Sequence, residues 1–105
     1  HPHPLGKMTN TYTITLGLES PKLTVEECRA LALIAAAEYF PTGHTVTEAT
    51  GRWTSERGVI DEPSLVITVI TDDRSAVDLF CQTYKAGAFQ DCVLLQITRP
   101  ETIWV

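Results

Sequence analysis

The heptapeptide at residues 64–70, SLVITVI, constrains the fold more than any other stretch of the chain. Read with a strand's period of two, it is apolar on nearly both faces, with Thr68 the exception. A strand of that kind belongs in the middle of a sheet, with neighbours on both edges. The elements around it must therefore supply a sheet and a layer to cover it.

Upstream, residues 11–18 read TYTITLGL. Tyr12, Ile14, Leu16 and Leu18 point one way and Thr11, Thr13 and Thr15 the other, the pattern of a half-buried strand. ESPK breaks it. Thr24 followed by Glu27 forms a capping box, and Glu26 and Glu27 suit the positive end of the helix that follows. From Ala30 to Ala37 that helix has no polar residue, so either both of its sides are covered or one is an oligomer contact. Phe40-Pro41-Thr42-Gly43 ends it.

GHTVTEATGRWT reads as a second strand, with a bulge expected near Gly51 where the alternation falters. SERG is a turn with Gly58 at positive φ. A turn centred on Glu56 and Arg57 pairs Thr54 with Val59, Trp53 with Ile60 and Arg52 with Asp61. After the central strand, Asp72 or Asp73 caps a second helix with Val77, Phe80, Cys81 and Tyr84 as its buried stripe. Gly87 is the expected stop. DCVLLQIT makes a fourth strand, and the terminal TIWV is short and strand-prone. The order β-α-β-β-α-β predicts an α+β domain of ferredoxin-like layout, a four-stranded antiparallel sheet with two helices on one face.

Length and charge limit the function classes. A chain of 105 residues reads as one domain, with residues 11–105 forming it and residues 1–10 a cloning remnant or flexible N-terminus. His1 and His3 make no copper site, because Pro2 lacks the amide such a site deprotonates. The net charge of -5 without a basic cluster argues against a nucleic-acid partner. No stretch reaches the ~20 apolar residues of a membrane span, and no signal peptide is visible, so a cytoplasmic location is expected. Cys28, Cys81 and Cys92 have no metal or redox spacing and read as small buried hydrophobes. No cofactor or metal is expected.

Several of these segments together resemble a widespread family of small bacterial and phage proteins that carry a domain of unknown function. The likeness lies in YTITLGL, FPTGHTV, the hairpin G-R-W…G-V-I-D-E-P-S-L-V and the closing F-Q..V-L, which place Gly51, Trp53, Gly58, Glu62, Phe89, Gln90, Val93 and Leu94. That resemblance implies the fold and no activity. The hairpin is also similar to that of CutA-like and PII-like trimers, which bind ligands or metals between subunits. The chain lacks the cysteine-containing stretch of the first and the long nucleotide loop of the second.

The candidate ligand-binding residues are Arg52, Trp53, Arg57, Glu62 and His44. An arginine beside an aromatic suits an anionic or planar ligand. The same residues also serve a plain hairpin, in which Arg52 pairs with Asp61 and Trp53 packs. Glu62, held extended by Pro63, would accept backbone N–H groups near Gly51. No catalytic motif is present, and no catalytic residue is assigned. The expected function is an oligomeric binding or regulatory module, a homodimer or homotrimer with a small ligand between subunits. One alternative is a small cleft enzyme using His44, Glu48, Arg52 and Tyr84. The other is an interaction factor of a phage-type mobile element.

Overall fold

A computed structural model describes residues 9–101, 103 and 105. The expected N-terminal remnant falls almost entirely outside the described residues. The elements are β1 (Asn10–Gly17), α1 (Val25–Tyr39), β2 (Thr45–Ser55), β3 (Gly58–Thr71), α2 (Arg74–Ala88) and β4 (Leu94–Thr98). They form one antiparallel sheet in the order β2-β3-β1-β4, so the apolar heptapeptide is central, as its composition demands. The layout is the α+β, ferredoxin-like one.

The core lies between the sheet and the helices. Tyr12, Ile14 and Leu16 of β1 stand opposite Val69, Ile67 and Leu65 of β3, all buried. Cys28, Ala32, Ala35 and Ala36 of α1 and Val77, Phe80, Tyr84 and Ala88 of α2 close over them. Thr24 caps α1 in a capping box: its Oγ1 accepts from Glu27 N at 3.1 Å, and its own N–H donates to Glu27 Oε1 at 3.0 Å. Asp73 caps α2 by accepting from Ala76 N at 3.1 Å.

Gly87 does not end α2. The helix continues to Ala88 and stops at Phe89, which takes the left-handed conformation with φ 57°. Gly87 has another use, because a Cβ there would lie 2.6 Å from Leu31 Cδ2. Its bare backbone lets the two helices approach. The cysteines also differ from expectation. Cys28 is buried, Cys81 only half-buried and Cys92 exposed, because β4 is an edge strand and leaves the segment before it uncovered.

The hairpin register is the expected one, with Arg52 opposite Asp61, Trp53 opposite Ile60 and Thr54 opposite Val59. Gly58 has φ 103°. No bulge interrupts it, since the pairing runs unbroken from Thr45↔Thr68 to Ser55↔Gly58. β1 begins to pair with β3 only at Ser64, so residues 51–62 extend past the sheet as a two-stranded ribbon.

From Ala49 and Val66 inward, short of the ribbon, the sheet face away from the helices is uncharged. It carries Thr11, Thr13 and Thr15 of β1, Thr45, Thr47 and Ala49 of β2, Val66, Thr68 and Ile70 of β3, and Leu94, Gln96 and Thr98 of β4. The apolar α1 segment is covered on one side only: Leu33 is 41% and Ile34 67% exposed.

Candidate functional site

Where the ribbon leaves the sheet, a cleft of about 420 Å³ opens at the border of the uncharged face, lined by Glu19, Ser20, Pro21, Trp53, Ile60 and Glu62. Strand alternation builds half of it. Trp53, Ile60 and Glu62 share one face, Trp53 opposite Ile60 and Glu62 opposite Gly51. The β1–α1 segment, residues 18–24, supplies the rest. It is tied down by Leu18 N donating to Pro63 O at 3.0 Å and by the Ser20 hydroxyl accepting from the N–H groups of Lys22 and Leu23.

Two glycines make the arrangement possible. A Cβ at Gly51 would lie 2.8 Å from Trp53 Nε1 and 2.9 Å from Ser64 Oγ, so the indole folds back over a residue with no side chain. A Cβ at Gly17 would meet Glu62 Oε1 at 2.7 Å, so the carboxylate lies across the neighbouring strand over a second bare position. The indole N–H of Trp53 and the backbone N–H of Glu19 lie near the Glu62 carboxylate and favour its charged form. Burial pushes the Glu62 carboxyl above its ordinary range and the charge of Glu19 adds to this, while the Trp53 indole and the Glu19 N–H act the other way.

Tyr84 lies under the same corner. It is fully buried and donates its hydroxyl to Gly17 O. Burial raises its phenol well above the usual value, and the neighbouring Cys28 adds to the effect. Burial likewise raises the Cys28 thiol.

Of the residues singled out in the sequence, Trp53 and Glu62 meet in the cleft. The others lie elsewhere. Arg52 is on the opposite face of the ribbon and forms a two-pronged pair with Asp61, at 2.7 Å and 3.2 Å. Arg57 is exposed in the turn, its N–H donating to Ser55 Oγ at 3.1 Å. His44 follows α1, and its Nδ1–H donates to Phe40 O at 3.0 Å, beside a second cleft of about 310 Å³ lined by residues 37 and 40–44. The adjoining Thr45 pairs with Thr68, six residues beyond Glu62, or ~20 Å along the strand. Glu48 is held by Arg29 Nε at 2.7 Å and 3.3 Å. His44, Glu48, Arg52 and Tyr84 thus occupy four separate environments.

Glu19, Ser20, Pro21 and Ile60 were not singled out as site residues. Ile60 shares the face of Glu62 by simple alternation and could have been found that way. The loop residues reach the hairpin only because Gly17 pairs with Ser64, a contact between segments 47 positions apart. The resulting lining holds two carboxylates, one indole and no basic group. Chemically it suits a ligand with a flat ring and a positive charge: the indole face attracts both, and the carboxylates balance the charge. Among the described residues, no group of three or more His, Cys, Asp or Glu side chains could hold a metal ion.

No protein-family model and no curated protein matches the chain. Solved structures share its fold. A phage SAM lyase in complex with S-methyl-5'-thioadenosine superposes with a TM-score of 0.65 at 17% identity, over 88% of this chain and 81% of the other. CutA1 from Oryza sativa gives 0.60 at 14% identity, over 90% and 81%. A DUF3240 family protein from Shewanella baltica gives 0.56 at 8% identity, over 94% and 97%. At such identities the likeness is one of fold, and it agrees with the CutA-like expectation at that level. No described helix is long and apolar enough to cross a membrane.

Proposed function

We propose that the protein is a homo-oligomeric binding module whose cleft at Trp53 and Glu62 takes a small, positively charged ligand carrying a flat ring. The observation that carries this reading is the convergence of the Trp53 indole, a half-buried Glu62 and Glu19 on one cleft without a basic side chain. An arrangement that brings two carboxylates together at a half-buried site is disfavoured in the empty protein and relieved by a cation. The phage SAM lyase of like fold, seen with S-methyl-5'-thioadenosine, points to a probe. SAM joins a sulfonium to an adenine ring and so has both required features.

The oligomer is supported by the uncharged sheet face. Antiparallel sheets that face water normally carry charge on the wet side, and depletion of charge marks the core of an interface. The cleft lies at the border of that face, where a second copy would wall it.

The test is native mass spectrometry combined with titration of tryptophan emission by SAM, S-methyl-5'-thioadenosine and ATP. The reading predicts an oligomer and saturable binding of SAM, weaker binding of the neutral thioether and none of the anionic nucleotide. Glu62→Gln should weaken SAM binding about tenfold, the loss of one charge-assisted contact. A monomer that ignores SAM overturns the reading, and SAM consumed rather than retained replaces the binding module with an enzyme.

A further inference from the structure

The C-terminal end of α2 reaches the cleft without lining it. Tyr84 donates to Gly17 O, and Gln90 Nε2 donates to Glu19 O at 2.5 Å. Lys22 Nζ sits 4.7 Å from the centroid of the Phe89 ring. All three contacts fall on the β1–α1 corner that supplies Glu19, Ser20 and Pro21. Glu19 is held through its carbonyl by Gln90, and its N–H lies beside the Glu62 carboxylate. A chain of contacts therefore runs from Gln90 through the Glu19 backbone to Glu62 and on to Trp53.

Phe89 shows that this chain is built at a cost. A left-handed residue at a helix end is ordinarily glycine, and a side chain there is strained. Here a phenylalanine takes φ 57°, which turns the backbone so that Gln90 N donates to Lys85 O at 3.0 Å and the Gln90 side chain reaches Glu19. The ring that glycine would lack covers Lys22.

We propose that Tyr84 and Gln90 are positioning residues for the cleft: by gripping the carbonyls of Gly17 and Glu19 from α2, they fix the loop that holds Glu62 against Trp53. The proposal rests on the cleft being the binding site. Two readouts separate it from that reading. The first is hydrogen exchange at the Glu19 amide, followed by NMR. The second is the pH midpoint of Trp53 emission in a W104F background, which has a single tryptophan and reports protonation of Glu62. The groups facing Glu62 are Glu19 from the loop, Trp53 from β2 and Tyr84 from α2.

Gln90→Ala is the informative variant, because Gln90 is half-buried outside the hydrophobic core and its loss leaves that core intact. The expected result is Glu19 exchange at least about tenfold faster, with strand and α2 amides unchanged. The Trp53 midpoint moves down as Glu62 loses burial and the nearby Glu19 charge, and the melting temperature stays the same. Tyr84→Phe gives the same local changes together with a lower melting temperature, since it also strips a partner from the Gly17 carbonyl. Gly17→Ala displaces Glu62 directly and should move the Trp53 midpoint even with Gln90 in place. Unchanged Glu19 exchange and an unchanged midpoint in Gln90→Ala overturn the proposal, whatever SAM does. If both readouts move while neither protein binds SAM, the positioning role stands and the ligand reading falls.

Discussion

Glu62 is a carboxylate placed where its charge is poorly accommodated, and this has a consequence for stability. Its pKa in the folded protein is raised, chiefly by burial and then by Glu19. In the unfolded chain it ionises near its ordinary value of about 4.5. Between those two values the folded state binds more protons than the unfolded one, so this group's contribution is fully present below the lower value and lost as pH rises through the upper one. Glu62→Gln keeps the shape and an acceptor oxygen without the charge. The variant should melt with the wild type at pH 4 and a few degrees above it at pH 7, the gap opening across that window in calorimetric scans. A variant that melts below the wild type at pH 7 would mean that the Trp53 indole and the Glu19 N–H favour the carboxylate by more than burial penalises it. Gly51 carries a related lesson, because its glycine is explained by where an indole lies, two residues along the same strand.

Elements were legible in the sequence wherever a local rule decides them. The alternation in TYTITLGL fixes β1, and the two-residue turn at Glu56 and Arg57 fixes the whole hairpin register. The capping box fixes where α1 starts. Thr24→Ala tests that last step. It removes the acceptor for Glu27 N and should cost about 1 kcal/mol, seen as a fall in melting temperature of about 4–8 °C. What was not legible depends on contacts between distant segments. Gly51 looks like a bulge and Gly87 like a helix stop until Trp53 and Leu31 are seen lying over them. Trp53 and Glu62 could be picked out as site residues because their types and neighbours are unusual. Glu19, Ser20 and Pro21 could not, since only the pairing of β1 with β3 brings ESPK to the hairpin.

At the scale of the molecule, the distribution of charge is the feature that asks for a partner. The chain carries 21 Asp, Glu, Lys and Arg residues, yet none lies on the helix-free face between Thr45 and Ala49 of β2, along β1, or on β4. Threonine supplies a surface that water tolerates and that another sheet can pack on without burying charge. The ribbon of residues 51–62 is long and lacks a third strand, an arrangement that is marginal in isolation and needs something to pack on. A second copy seated on this face would satisfy both. Thr13, paired with Thr68 on one side and Gln96 on the other, stands at the centre of the face. Thr13→Lys places a charge there that solvent accepts in a monomer and an interface does not. The proposed oligomer should therefore fall to a monomer in light scattering while circular dichroism shows the fold retained. SAM affinity should fall with it, because the cleft at the border of the face loses a wall. An oligomer that survives Thr13→Lys would move the contact to another surface, and the exposed Leu33 and Ile34 of α1 would be the next place to put the charge.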